Sequence, residues 1–405
     1  MPPLSIAMLS IHSSPMGRLG TRDTGGMSVY IRELASQLGR AGHRVDIFTR
    51  RTNVDSPEVS LLAPNVRLVL LDIAVGRQVP KAGLFDHGKE AFAAIESFRN
   101  RRSLTYDLVH SHYWISGHVG RLARRSWRRP HVITFHTLAA LKSAAGVGAA
   151  EPTRRLAEEQ ALVNECEGLL VPCEDEMNHM MHYYSADPQK TTWVPGGIDM
   201  QRFQPMDKLS ARHRLGIDVR DRMLLCVGRL TPLKGQDRII GAMSRLSKKD
   251  RTRLILVGGN GRSDPEQKRL FQLADQLGVV SQVRFFGSVP HTELVEYYAA
   301  MDMLVLASHY ESFGLVGLEA LACGRPVVTT PVGILKTLST LRRPGVVMTA
   351  GSPESLAAAI ASAIKQGPGW SPHAIRKGVR DYTWRRTAEA ASAAYRSALD
   401  KHAHV

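Results

Sequence analysis

The feature that most limits how this chain can fold is a strand–helix alternation that runs along it twice. In the first half "LSIAMLSI" reads as a buried strand. It is followed by "GGMSVYIRELASQLGRAGH", a helix with one apolar side, closed by Gly39 and Gly42. "RVDIFTR", "VRLVLLDI", "DLVHSHY", "HVITFHT" and "GLLVPC" continue the strands, with helical stretches near residues 116–125 and over "EPTRRLAEEQALVNEC". The pattern then restarts with "MLLCVGRL", "RLILVGG", "VRFFGSV", "MLVLASHY" and "PVVTT", and helical segments at 353–365 and 383–400 end the chain. Such alternation implies parallel sheets with helices on both faces. A chain of 405 residues also exceeds what one core usually supports. The expected fold class is therefore α/β: two Rossmann-like doubly wound domains facing across a cleft. The turn-rich "VPGGIDMQRFQP", residues 194–205, separates the two series and puts the boundary between 1–198 and 199–382.

Composition narrows the function classes. The chain is 43% hydrophobic and 22% charged, and no apolar run approaches the roughly 18 residues that span a bilayer. Residues 6–11 lack the basic flank and cleavage-like site of a signal peptide and read as a first buried strand. Cys166, Cys173, Cys226 and Cys323 are scattered, which fits a reducing cytoplasm better than a zinc site or a disulfide framework. The net charge of +16 is lopsided: residues 1–200 hold 23 Lys/Arg against 20 Asp/Glu, and residues 201–405 hold 30 against 17. That excess can focus an anionic ligand. Nucleic acid is not the expected partner, because the basic residues are dispersed and aromatics make up only 6%. Loose attraction to the inner face of an anionic membrane, through the basic stretch at 121–129, stays open beside a plain solvated surface.

Four elements carry chemistry. "TGGMSVY" places Gly25 and Gly26 before a helix, where the backbone can approach a ligand and free N–H groups can seat a phosphate. The spacing is not that of a dinucleotide fingerprint, and a ligand-free turn is the alternative. "GRLTPLKG" brings Arg229 and Lys234 out of an apolar strand, a fork and a point charge suited to phosphate oxygens. "ESFGLVGLEALACGRPVV" sets Glu311 and Glu319 eight apart around Gly314, with a helix starting near Phe313. Carboxylates can hold sugar hydroxyls there, while the helix start accepts a diphosphate. Glu319, among Leu318, Ala320, Leu321 and Ala322, would be costly to bury unpaired. The fourth element is a histidine group: His110, His112, His118, His131 and His136. "HSH" puts two rings on one side of a strand, but no carboxylate accompanies them, so local hydrogen bonding is the preferred reading over metal ligation. His136, with Tyr113, Trp114 and Thr137, offers a wall suited to a polyol.

Together "GGMSVY", "HSHYWISG", "FHT", "VPGGID", "GRLTPLKG" and "ESFGLVGLEALACGRPVV" resemble the GT-B retaining glycosyltransferases of family 4. That family contains sucrose-phosphate synthases and the mycothiol-pathway enzyme that transfers N-acetylglucosamine to inositol phosphate. The likeness spans nearly the whole chain. It implies a nucleotide sugar, UDP-linked by preference, in the second domain. Arg229 and Lys234 would hold the diphosphate, Glu319 the ribose and Glu311 the donor hexose. Amides from Phe313 through Gly314 to Leu315 would join them, Gly25 and Gly26 would close from the other side, and His136 would lie near the transferred sugar. It also implies that the helix at 383–400 crosses back onto the first domain. No carboxylate nucleophile stands out in the first half, and the family's front-face route would rest on fixed cations and amides instead. No DxD-type element stands out either, so neither an essential metal nor another cofactor is expected. For a phosphorylated sugar or polyol acceptor the resemblance points to Tyr113, Thr137, Arg154 or Arg155, and Lys81 or Lys89. A lipid-linked or polysaccharide acceptor, and a noncatalytic nucleotide-sugar-binding module, are the alternatives. Base, hexose and oligomeric state are not readable from the residues.

Overall fold

The computed structural model describes residues 2–17, 24–74, 79–261, 263–366 and 369–403. Among them the chain forms two separate sheets. The first contains β1 (Ser5–Leu9), β2 (Arg44–Arg50), β3 (Val59–Ala63), β4 (Val66–Leu71), β5 (Leu108–His112), β6 (His131–Thr134), β7 (Gly168–Val171) and β8 (Thr191–Trp193). Their order is β3-β4-β2-β1-β5-β6-β7-β8, parallel except for the antiparallel β3–β4 pair. The second contains β9 (Arg222–Val227), β10 (Thr252–Val257), β11 (Val283–Gly287), β12 (Met303–Leu306), β13 (Val327–Thr329) and β14 (Val346–Met348), ordered β11-β10-β9-β12-β13-β14 and wholly parallel. Each winds outward from its first strand in one direction and then in the other. The winding reverses between β1 and β5 in one sheet and between β9 and β12 in the other, where doubly wound sheets leave a ligand crevice.

The sequence explains these elements. All five residues of β5 are buried, as expected for a strand covered on both faces. The helix Gly26–Arg40 buries Val29, Ile31, Leu34, Ala35 and Leu38 against the first sheet. The helix Trp384–Ala403 buries Trp384, Ala388, Ala391, Tyr395 and Ala398, an i, i+4, i+7 stripe, in the same core. The alternation had not shown β3, β8 and β14. The first is an antiparallel edge with Leu61 76% exposed, and the other two are three-residue strands that also lie at sheet edges.

Two passages of chain meet beside the cleft. Ile198 N donates to Tyr382 O at 3.0 Å, and Ile198 pairs with Thr383 in an isolated parallel bridge. A Cβ added to Gly197 would come within 2.4 Å of Trp384 N, so only glycine allows this approach. No helix among the described residues is long and apolar enough to cross a membrane. The basic stretch at 121–129 is largely compensated: Arg121 pairs with Glu158 and Glu165, Arg124 with Glu167, and Arg125 with Glu165.

Candidate active site

One cavity opens between the sheets, and its walls are loops that follow the carboxyl ends of strands in both domains. The second domain supplies the charge. Arg229 follows β9, and Lys234 sits in a short 3-10 turn (Pro232–Lys234) closed by Gly235, whose φ of +65° favours glycine. Lys234 Nζ lies 2.5 Å from Glu311 Oε1, which also accepts from Ser308 Oγ at 2.8 Å. Phe313 and Gly314 lead into the helix Leu315–Ala322, and Gly314, at φ +94°, is its N-cap with no side-chain cap. The first N–H groups of such a helix have no partner within it and suit an anion. Glu319 is buried but partnered: Oε1 meets His291 Nε2 at 2.6 Å, and Oε2 accepts from Tyr298 O–H at 2.7 Å. The cost of burying it is met by hydrogen bonds before any ligand arrives.

The first domain faces this wall with Gly25 and Gly26. A Cβ on Gly25 would lie 3.8 Å from Arg229 Nε, and one on Gly26 would lie 3.7 Å from Leu315 Cδ1, so this loop sits against the charged side. Lys81, Tyr113, His136 and Thr137 line the rest. Lys81 Nζ stands 4.1 Å from the centre of the Tyr113 ring. Tyr113 and His136 have φ values of +75° and +59°, unusual for residues with side chains and typical of backbone held at a functional site. His136 Nε2 is 2.9 Å from His112 Nδ1, and burial lowers its pKa to about 3, so the ring is neutral.

The histidine group is otherwise a set of local hydrogen bonds. His110 meets Tyr395 O–H and Thr134 Oγ1, His131 meets Ser111 Oγ, and His118 meets Glu158. No group of three or more His, Cys, Asp or Glu among the described residues is arranged to hold a metal ion.

Three of the expected acceptor residues are placed elsewhere. Arg155 lies one layer behind the cavity, buried and held by Glu159 and Glu151 at 2.7 Å each. Its guanidinium donates to Thr137 O and Oγ1, supporting that residue from beneath. Arg154 points outward to Asp86, and Lys89 is exposed at the start of the helix Gly88–Arg101; neither lines the cavity. Conversely, the cavity includes His12, Tyr30, His291, Tyr310 and Ser312, which sequence reasoning passed over. His12 and His291 each follow the carboxyl end of a strand (β1 and β11), a position that was signal enough. His12 stacks at a tilt on Tyr113, 4.5 Å between centroids.

Two doubly wound domains with strand-end loops meeting over paired cations, carboxylates and a bare helix start define a glycosyltransferase of the GT-B architecture. Residues 24–202 match the model for glycosyltransferase family 4, and residues 207–381 match that for glycosyl transferases group 1. D-inositol 3-phosphate glycosyltransferase from Geodermatophilus obscurus is 39% identical over 99% of this chain and 91% of its own length. The Mycobacterium tuberculosis protein of that name is 36% identical, over 99% and 84% respectively. The chain belongs to glycosyltransferase family 4. Sucrose-phosphate synthase from Thermosynechococcus elongatus superposes with a TM-score of 0.88 at 27% identity, covering 98% of this chain and 100% of that one. Anabaena HepE in complex with UDP and glucose shares the fold at 18% identity, with a TM-score of 0.76 over 96% and 98%.

Proposed function

We propose that the protein moves a hexosyl unit from a UDP-linked sugar to a hydroxyl of a sugar or polyol phosphate, with retention at the anomeric carbon. The observation that carries this is the facing of two unlike walls across one cavity: Arg229, Lys234 and Glu311 opposite Lys81, Tyr113 and Thr137. Relatives named for inositol 3-phosphate make an inositol phosphate the first acceptor to try. In this reading residues 199–382 hold the donor. Residues 1–198, with the helix at 383–400, hold the acceptor, in the cytoplasm.

Arg229 and Lys234 take the diphosphate, and Lys234 exchanges its bond to Glu311 for phosphate oxygens. Glu311 is thereby released toward the hexose, and Glu319 turns from His291 and Tyr298 to the ribose hydroxyls. No carboxylate of the first domain lines the cavity among the described residues. Retention is therefore assigned to a front-face departure, in which the leaving diphosphate takes the acceptor proton and the cations and helix-start amides stabilise the growing charge. No essential metal is invoked.

The test is a donor panel (UDP-glucose, UDP-N-acetylglucosamine, GDP-mannose, ADP-glucose) against inositol phosphates, sugar phosphates and extracted lipids, with product mass and anomeric NMR. An α-linked product from an α-linked donor and an inositol phosphate, formed equally well in EDTA, is expected. Turnover only with lipid, a β-linked product, or activity lost in EDTA and restored by magnesium would each overturn the corresponding part.

A further inference from the structure

The charged wall of the second domain is not fixed by that domain alone. Tyr310, immediately before Glu311, packs against the first domain's apolar cluster that includes Leu138 and Met180. Its hydroxyl donates to Glu176 Oε2 at 3.2 Å, and the Ser312 hydroxyl donates to the same oxygen. Glu176 lies on the helix Glu174–Tyr184 of the first domain and is 2% exposed. Cys173 Sγ reaches Ser312 O at 3.4 Å, and Asp175 pairs with Lys336 at 2.5 Å, so the junction is held on both sides. Both sequence neighbours of Glu311 are thus bonded to one buried carboxyl of the opposite domain, while Glu311 itself faces the cavity.

We propose that Glu176 is a positioning residue for the Glu311 loop: an interdomain clasp that sets the donor-facing carboxylate only while the two domains are closed on each other. This rests on the reading that Glu311 meets the donor. The charge environment suits a clasp better than a permanent brace. The partners bonded to Glu176 are hydroxyls rather than a cation, and Glu159 and Asp175 nearby are of like sign. Tyr30, Cys173 and Tyr310 itself are further titratable groups beside it. Burial, against the pull of the two hydroxyls and with the two acids, raises its pKa to about 7. If the domains part and water reaches Glu176, its pKa returns to the ordinary carboxylate range, so closure takes up a proton in between. The clasp is then at full strength below that range, weakens as pH rises through it, and levels off above about 7.

Glu176→Ala, Glu176→Gln, the double variant Tyr310→Phe with Ser312→Ala, and Glu311→Gln are compared by donor KM and kcat from pH 5 to 8, using the active donor of the panel above, with melting temperature alongside. Glu176→Ala and the double variant are expected to raise donor KM at least tenfold. Glu176→Gln, which keeps an accepting oxygen, should recover to within threefold of the parent and lose the fall in kcat/KM between pH 5 and 7. A donor KM within twofold of the parent in both the Ala and the double variant, whatever happens to melting temperature, overturns the clasp. So does a Gln variant that keeps the parent's pH profile. Glu311→Gln separates the two readings: if it too leaves donor KM unchanged, the donor assignment itself fails. If it raises KM while Glu176→Ala does not, only the clasp fails. Should Glu176→Ala not fold, the Gln and double variants decide alone.

Discussion

The two walls of the cavity are built on opposite principles. On the second domain's side charge is carried in pairs already formed: Lys234 with Glu311, and Glu319 with His291 and Tyr298. On the first domain's side the expected cation Arg155 is withdrawn behind Thr137, and neutral rings and strained backbone at Tyr113 and His136 come forward. A site with pre-paired charges binds an anion by exchanging partners, so little unpaired charge is left exposed before the ligand arrives. A wall of rings over a buried ion pair presents shape, hydroxyls and the cation Lys81, while Arg155 and its carboxylates do structural work. The difference fits the proposed division, in which one wall holds the donor and the other the acceptor.

Substitutions can break this contrast. The largest effect should come from Arg155→Ala, which leaves the buried Glu159 without its cation, while Glu151 keeps Lys142. A loss of about 3–5 kcal/mol of folding stability is expected by chemical denaturation. A stable variant with only a raised acceptor KM would move Arg155 into the binding wall. Next, Lys234→Ala should lower kcat by about 100- to 1000-fold if, as proposed, it meets the leaving charge. An effect confined to KM would reduce it to a ground-state contact. Glu319→Gln should cost about 1.5–3 kcal/mol of donor affinity with kcat nearly kept, read by calorimetric titration with UDP. The smallest effect belongs to Arg154→Ala: its pair with Asp86 is half exposed, so about 0–1 kcal/mol of stability and an unchanged acceptor KM are expected. A tenfold rise in acceptor KM there would extend the first domain's wall outward past Lys81.

What the sequence disclosed and what it hid divide along the same line. Arg229, Lys234 and Glu311 could be placed at the cavity because each lies in a short loop leaving an apolar strand, and Glu319 because its motif continues that loop into the helix Leu315–Ala322. The alternation likewise disclosed the inner strands and missed β3, β8 and β14, edge strands that each pair on one side only. Arg154 and Arg155 stood equal on paper. Which of them turns inward is set at the start of the helix Thr153–Glu165, where Glu151, just before it, and Glu159, within it, lie four residues to either side of Arg155 and claim it. The roles of Tyr310, Ser312 and Glu176 could not be read, because they exist only once the two domains approach.

The meeting of Ile198 with Thr383 makes the second domain an insertion. The chain leaves the first domain, builds the entire second sheet, and comes home at the point it left, so that the first sheet and the helix Trp384–Ala403 belong to one body. A ribosome therefore finishes the second domain before the first has its last helix. The core that receives Trp384, Ala391 and Tyr395 stays open until that helix has been made, and a cut before Trp384 acts on the opening domain rather than on its neighbour.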